Sequence, residues 1–235
     1  MSFRKVGSEY RKLRLEIVRG QTSWRSGLLG ITYFSPPKVT VRDLDADREP
    51  EIVLDTYTGG AHCCFESRIY RYLPTRAAYG GVRHSWADLG YKLRDLDRDG
   101  LPELVSADAR FAYVFTSFAG SAFPIQLWRF DSGRLDDVTG AFPSRVTQDA
   151  DALWRTYRRL RHKDDVRGVL AAWLADEYLL GREQAGWKAL EAANRRGELI
   201  GTYPGWPAGS AYLRALRSFL VRTGYIHQED VRAIR

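Results

Sequence analysis

With 235 residues, 44% apolar composition and seven tryptophans, the chain can bury one sizeable core or two modest ones, and it is too apolar to remain disordered. The net charge of +7 is spread along the chain, arginine outnumbers lysine 30 to 6, and acids interleave with the basic stretch from Arg155 to Lys163. With no recognition-helix, RNP-like or zinc-finger pattern, this composition argues against nucleic acid as a partner. No segment reaches the length of a membrane span, since the longest apolar run, 166–180, is broken by Asp176 and Glu177.

In chain order, Met1-Ser2-Phe3-Arg4-Lys5 lacks the apolar stretch of a signal peptide, which predicts either a cytosolic chain or one numbered after a removed leader. Leu13 to Val18 and Ile31 to Phe34 read as strands. Val39-Thr40-Val41-Arg42 alternates as a strand does and runs into the acidic nonapeptide Asp43-Leu44-Asp45-Ala46-Asp47-Arg48-Glu49-Pro50-Glu51. An apolar run, Ile52-Val53-Leu54, follows, and a further strand carries Ile69-Tyr70-Arg71-Tyr72.

The same order then returns. Tyr91-Lys92-Leu93-Arg94 leads into Asp95-Leu96-Asp97-Arg98-Asp99-Gly100-Leu101-Pro102-Glu103, 52 positions after the first nonapeptide, and Leu104-Val105 follows. Leu127-Trp128-Arg129-Phe130 matches the 69–72 strand at an offset of 58, so the second copy carries about six extra residues in its connection. This is an internal repeat of strand, acidic loop, strand, connection, strand.

Each nonapeptide places carboxylates at its first, third, fifth and ninth positions. Four packed carboxylates repel one another unless a cation or several protons sit among them. Hard oxygens suit calcium, whereas magnesium demands a strict octahedron and keeps its waters. An EF-hand would need a twelve-residue loop between helices, and neither flank here reads as helical.

With its D-x-D-x-D-x-x-x-E loops between strands, the chain resembles the FG-GAP and VCBS repeat proteins, whose blades build the propeller of integrin alpha chains. The resemblance spans residues 39–73 and 91–131. It implies two calcium ions, one held by Asp43, Asp45, Asp47 and Glu51 with the carbonyl of Glu49, the other by Asp95, Asp97, Asp99 and Glu103 with the carbonyl of Leu101. Arg48 stands where the second loop has Gly100, so the first site is expected to be the weaker. Two clear units cannot close a propeller of four to eight blades. The expectation is therefore an antiparallel β domain resembling a partial propeller, its open edge covered by the helical tail or a partner.

The two cysteines are adjacent, in Thr58-Gly59-Gly60-Ala61-His62-Cys63-Cys64. A vicinal disulfide in a turn supplied by the glycines, two free thiols on opposite faces of a strand, and a nucleophilic cysteine beside His62 are the competing readings. Consecutive ligands suit zinc poorly. His84, His162 and His227 stand apart, and no nucleophile elbow, zinc-protease pair or phosphate loop is present.

Beyond Phe142-Pro143-Ser144 the period changes from two to 3.6. Asp149-Ala150-Asp151 is expected to cap a helix carrying Leu153, Trp154, Tyr157 and Leu160, and Asp164-Asp165 to open a second that stops near Gly181. A third is expected from Arg182 to Arg196 and a last from Ser210 to Arg222. Between them, residues 200–209 read as a Pro- and Gly-rich loop, in which Tyr203 and Trp206 could stack on a small ligand or partner peptide.

The fold class expected is α+β, mainly β then α, with a β domain at 1–145 and a helical domain at 146–235. Loops of this type fill where calcium is abundant, which favours a secreted, periplasmic or cell-envelope protein. The function expected is a non-catalytic binding or assembly module with structural calcium and a protein or glycan partner, and an open sheet edge also suits a subunit of a larger envelope complex. The alternative is a hydrolase or redox enzyme centred on His62, Cys63 and Cys64.

Overall fold

The computed structural model describes residues 1–60, 63–201 and 205–226. Thirteen strands precede four α-helices among them, and no barrel closes: the class is α+β, β first. The chain forms two compact units, one of residues 1–106 and 127–137, the other of residues 107–126 and 138–235.

In the first unit β1 (Ser2–Val6), β2 (Glu9–Arg14) and β5 (Thr32–Tyr33) form a three-stranded sheet, and β3 (Glu16–Arg19) pairs with β4 (Thr22–Arg25). Two four-stranded meanders follow. One runs β6 (Lys38–Arg42), β7 (Glu51–Gly60), β8 (Cys63–Leu73), β9 (Ala78–Ala87); the other runs β10 (Lys92–Arg94), β11 (Glu103–Ala107), β12 (Ile125–Asp131), β13 (Arg134–Asp137). Successive side chains of a strand point to opposite faces, and the start of β7, Glu51 to Leu54, is buried on both. Val53 and Ile69 pair across β7 and β8 and join Leu44, Trp86, Leu104 and Phe130 in one apolar cluster, while Ile52, Leu54 and Tyr70 turn to another with Leu13, Leu15 and Ile17. Both acidic nonapeptides bridge the first two strands of a meander, so each is a strand-to-strand turn.

The second unit is built on α1 (Pro143–Leu160), α2 (Arg167–Leu179), α3 (Glu183–Arg195) and α4 (Gly209–Thr223). Its core collects Tyr157, Leu170, Leu174, Leu190, Tyr212 and Leu216, all essentially inaccessible, with Phe111 and Phe115 from the 107–126 excursion. The excursion takes the place of a simple connection between β11 and β12, and it packs through short 3₁₀ turns at Ala109–Phe111 and Phe118–Gly120. α2 is buried on every side, so apolar residues surround its axis and even Arg167, Asp176 and Glu177 on it are buried. α1 begins at Pro143, whose missing N–H costs nothing in the first turn, so Asp149 lies inside the helix and does not cap it. No helix among the described residues is long and apolar enough to cross a membrane.

Candidate metal centre

The two nonapeptides fold into the same turn and share three hydrogen bonds, while a fourth, from the Asp99 N–H to Asp97 Oδ1 at 3.4 Å, is found in the second loop alone. Asp43 Oδ2 accepts from the Arg48 N–H at 3.1 Å, as Asp95 Oδ2 accepts from Gly100 N–H at 3.1 Å. Asp47 Oδ1 accepts from Glu49 N–H and Asp99 Oδ1 from Leu101 N–H, each at 2.8 Å. The ninth-position glutamates reach back in the same way, Glu51 Oε2 to Leu44 N–H at 2.8 Å and Glu103 Oε2 to Leu96 N–H at 2.9 Å. Left-handed residues fall at equivalent places: Ala46 (φ 58°) with Arg98 (φ 65°), and Arg48 (φ 70°) with Gly100 (φ 93°). Arginine thus adopts the conformation glycine takes in the other copy, at a strain cost of about 1 kcal/mol.

The loops differ in burial and in where positive charge enters. Strand β8 sends Arg71 to Asp47 Oδ2 at 2.8 Å and to within 3.4 Å of Asp45 Oδ2. Strand β12 sends the repeat-equivalent Arg129 to Asp97 at 3.1 Å, to Asp99 at 3.4 Å and onto Glu103, where its Nε donates to Oε1 at 3.0 Å. The glutamate of the second loop is therefore neutralised. That of the first is not: Asp43 Oδ1, Asp45 Oδ1 and Glu51 Oε1 are buried with no hydrogen-bond partner. Glu51 is fully inaccessible and the Asp45 side chain is 3% exposed. One oxygen from each of Asp43, Asp45 and Glu51 lies within 4.8 Å of the others, a spacing open to a single ion, whereas the matching group in the second loop is Asp95, Asp97 and Asp99, all exposed. Burial pushes the Glu51 carboxyl up to about 7, helped by the negative charges of Asp45, Asp47 and Asp43. Glu49 turns its carboxylate outward to Arg19 at 2.6 Å.

The other residues singled out from the sequence are held elsewhere. Cys63 and Cys64 are joined as a vicinal disulfide at the start of β8, with the Cys64 N–H on Thr58 Oγ1 at 2.9 Å. His62 and Tyr203 lie outside the described residues. The Trp206 indole donates to the Tyr113 carbonyl at 3.2 Å, which anchors it to the helical unit's own excursion. His84 is half-buried with Trp86 and Trp128, ring centroids 4.2 and 4.5 Å away, and burial lowers its pKa.

Sequence reasoning passed over the two arginines, though their signal was present, since they occupy matching positions in the aligned 69–72 and 127–130 strands. Asp149 reads in the sequence only as a cap and Asp176 only as a break in an apolar run, and nothing local signals that the two carboxyls meet. Asp149 Oδ2 accepts from the Ile125 N–H at 3.1 Å, and Asp176, fully inaccessible on α2, has no nitrogen donor to either oxygen and lies beside the Asp149 carboxyl.

Residues 146–224 match the family described as the sll0997 C-terminal domain. Among curated proteins, the chain is 30% identical over 215 residues to a probable thylakoid lumen protein, sll0997, of Synechocystis, a match covering 79% of this chain and 60% of that one. It is 31% identical over 195 residues to an uncharacterized protein, y4bJ, of Sinorhizobium fredii, covering 76% of this chain and 30% of the other. The chain thus spans less than two thirds of either relative. No solved structure matches it. The resemblance to FG-GAP and VCBS repeats is corrected by these findings, because the matching family lies in the helical region and neither repeat family is found. A nine-residue acidic turn between strands is short enough to arise outside those families. The extracytoplasmic placement expected from the sequence agrees with the lumenal name of the Synechocystis relative.

Proposed function

We propose that the chain is an extracytoplasmic, non-catalytic binding or assembly module whose β unit is stapled by a structural calcium ion in the 43–51 loop. The observation that carries this is the trio of buried, unpartnered oxygens on Asp43, Asp45 and Glu51. Carboxylate oxygens withdrawn from water without a hydrogen-bond donor are costly, and the one guanidinium that enters this loop, Arg71, is engaged by the other oxygen of Asp45 and by Asp47. All-oxygen donors on a turning loop suit the flexible coordination of calcium. Asp43, Asp45 and Glu51 would hold the ion, which supplies charge neutralisation and no chemistry of its own.

On this reading the 43–51 loop is the stronger site, against the order expected from Gly100. Arg129 already supplies the positive charge in the 95–103 loop, so one tight site replaces the two expected, with the 95–103 loop at most a weak one. The lumenal name of the Synechocystis relative supports the extracytoplasmic reading.

The test is a thermal melt of chelator-treated full-length protein titrated with calcium. Mass action predicts stabilisation of about 2.7 kcal/mol at one hundred times Kd. Glu51→Gln should abolish the shift and Glu103→Gln should leave most of it. A wild-type midpoint indifferent to calcium, or equal losses from the two variants, would overturn the reading.

A further inference from the structure

The first unit holds a cavity of about 530 Å³ on a different part of the same sheet from the acidic loop. Tyr57, Phe65, Trp86 and Tyr91 wall it, and Asp55 faces it. Sheet register explains the arrangement. Asp55 and Tyr57 lie on one face of β7, two residues apart, and their partners across β8 are Ser67 and Phe65. The aromatic walls come in two pairs, Tyr57 with Phe65 at 4.9 Å between ring centroids and Trp86 with Tyr91 at 4.7 Å. Phe65, 42% exposed, and Phe34, 69% exposed and 6.2 Å from Tyr57, carry the aromatic strip out to solvent.

The Asp55 carboxylate is held rigidly by uncharged donors. Ser67 Oγ donates to its Oδ1 at 2.5 Å, the Tyr91 hydroxyl lies 3.2 and 3.1 Å from its two oxygens, and the Trp86 indole fixes Ser67 in turn by donating to its Oγ at 2.8 Å. Among the described residues no arginine or lysine forms an ion pair with Asp55. Lys38, its neighbour across β6, is exposed and lowers the Asp55 pKa only weakly against the larger upward push of burial. A part-buried anion in no ion pair among the described residues, walled by aromatic rings and with Lys38 at the rim, complements a positive charge on an apolar body.

We infer that this cavity is a binding site for a small organic ammonium ligand, with the cationic head on Asp55 between the faces of Tyr57, Phe65, Trp86 and Tyr91. The inference gives the binding-module reading a ligand class, yet it rests on none of the residues of the calcium loop. Asp55→Asn should therefore leave the calcium-dependent melt unchanged, and a missing calcium shift says nothing against the cavity.

The experiment is calorimetric titration of the full-length, calcium-replete protein with choline, its uncharged tert-butyl analogue, and glucose. Saturable binding is expected for choline alone. Asp55→Asn, which keeps an oxygen for Ser67 and Tyr91, should weaken it by about tenfold or more. Phe65→Ala, at the rim where folding is least at risk, should weaken it by roughly threefold to tenfold. Lys38→Gln should tighten it, because a like charge leaves the rim. Absence of choline binding, equal binding of the uncharged analogue, preference for glucose, or weakening by Lys38→Gln would each overturn the assignment.

Discussion

Replacing Arg167 by leucine is expected to destabilise the helical unit by about 3–5 kcal/mol, the cost of leaving a buried charge without its partner. Arg167 is fully inaccessible. Its Nε and Nη2 donate to the two oxygens of Asp165 at 3.0 and 2.7 Å, its backbone N–H donates to the same carboxylate at 3.0 Å, and Nη1 reaches the Pro207 carbonyl at 2.8 Å. One side chain therefore ties the start of α2 to the segment that enters α4. Gly201 closes over it, at φ 74°, where a Cβ would lie 1.9 Å from Nη2. Leucine would leave Asp165, 5% exposed, ionised and unpaired. Lysine should rescue little, since it cannot make the two-pronged contact. The further replacement of Asp165 by asparagine in the leucine variant should recover part of the loss, because it removes the stranded charge.

The pH profile carries the same argument with a definite sign. Despite its burial, hydrogen bonds from Arg167 hold the Asp165 carboxyl below its ordinary value. A group depressed in the folded state stabilises above its unfolded pKa, about 3.9, and that contribution is lost as pH falls through the folded value. Urea unfolding should show this acid loss in the wild type and not in Arg167→Leu. A leucine variant within about 1 kcal/mol of wild type, the range of an ordinary surface change, would show that the pair does not organise the unit.

How far such features could be read beforehand depends on whether they are periodic or relational. The second, third and fourth helices were legible to within a residue or two, because their apolar stripes, Gly181 and Gly197 are local signals. The first was mis-started because Asp149 has the residue type of a cap, while Pro143 fixes the actual beginning. The acidic repeat was legible as a pattern, and both copies do form the same turn. Its electrostatic asymmetry was not, because it depends on which carboxylate the arginine from a distant strand meets. Nor was the excursion of residues 107–126 into the helical unit, which the offset of 58 registered only as a longer connection. The acidic loops carry a pattern that resembles one family, yet the family that matches lies in the helices, whose stripes are too common to name one.

The second large effect concerns a group invisible to any motif search. Asp176→Asn is expected to stabilise the protein at neutral and alkaline pH, by up to about 4 kcal/mol near pH 7. Burial, and then the charge and hydrogen bond of Asp149, push the Asp176 carboxyl up to about 10, with Glu177 adding to the repulsion. The folded protein therefore keeps this group protonated where the unfolded chain ionises it. A folded-state pKa raised above the unfolded value of about 3.9 means that the contribution is fully present below that value and is lost steadily as pH rises towards the folded one. Asparagine removes the ionisation, and its amide can donate to Asp149. Denaturant unfolding of wild type and variant at pH 5, 7 and 9 separates this group from the loop carboxylates, which titrate equally in both. The difference in stability should grow with pH. A constant difference, or a variant less stable at pH 9, would mean that Asp176 is ionised in the folded state and held by a cation in the helical unit.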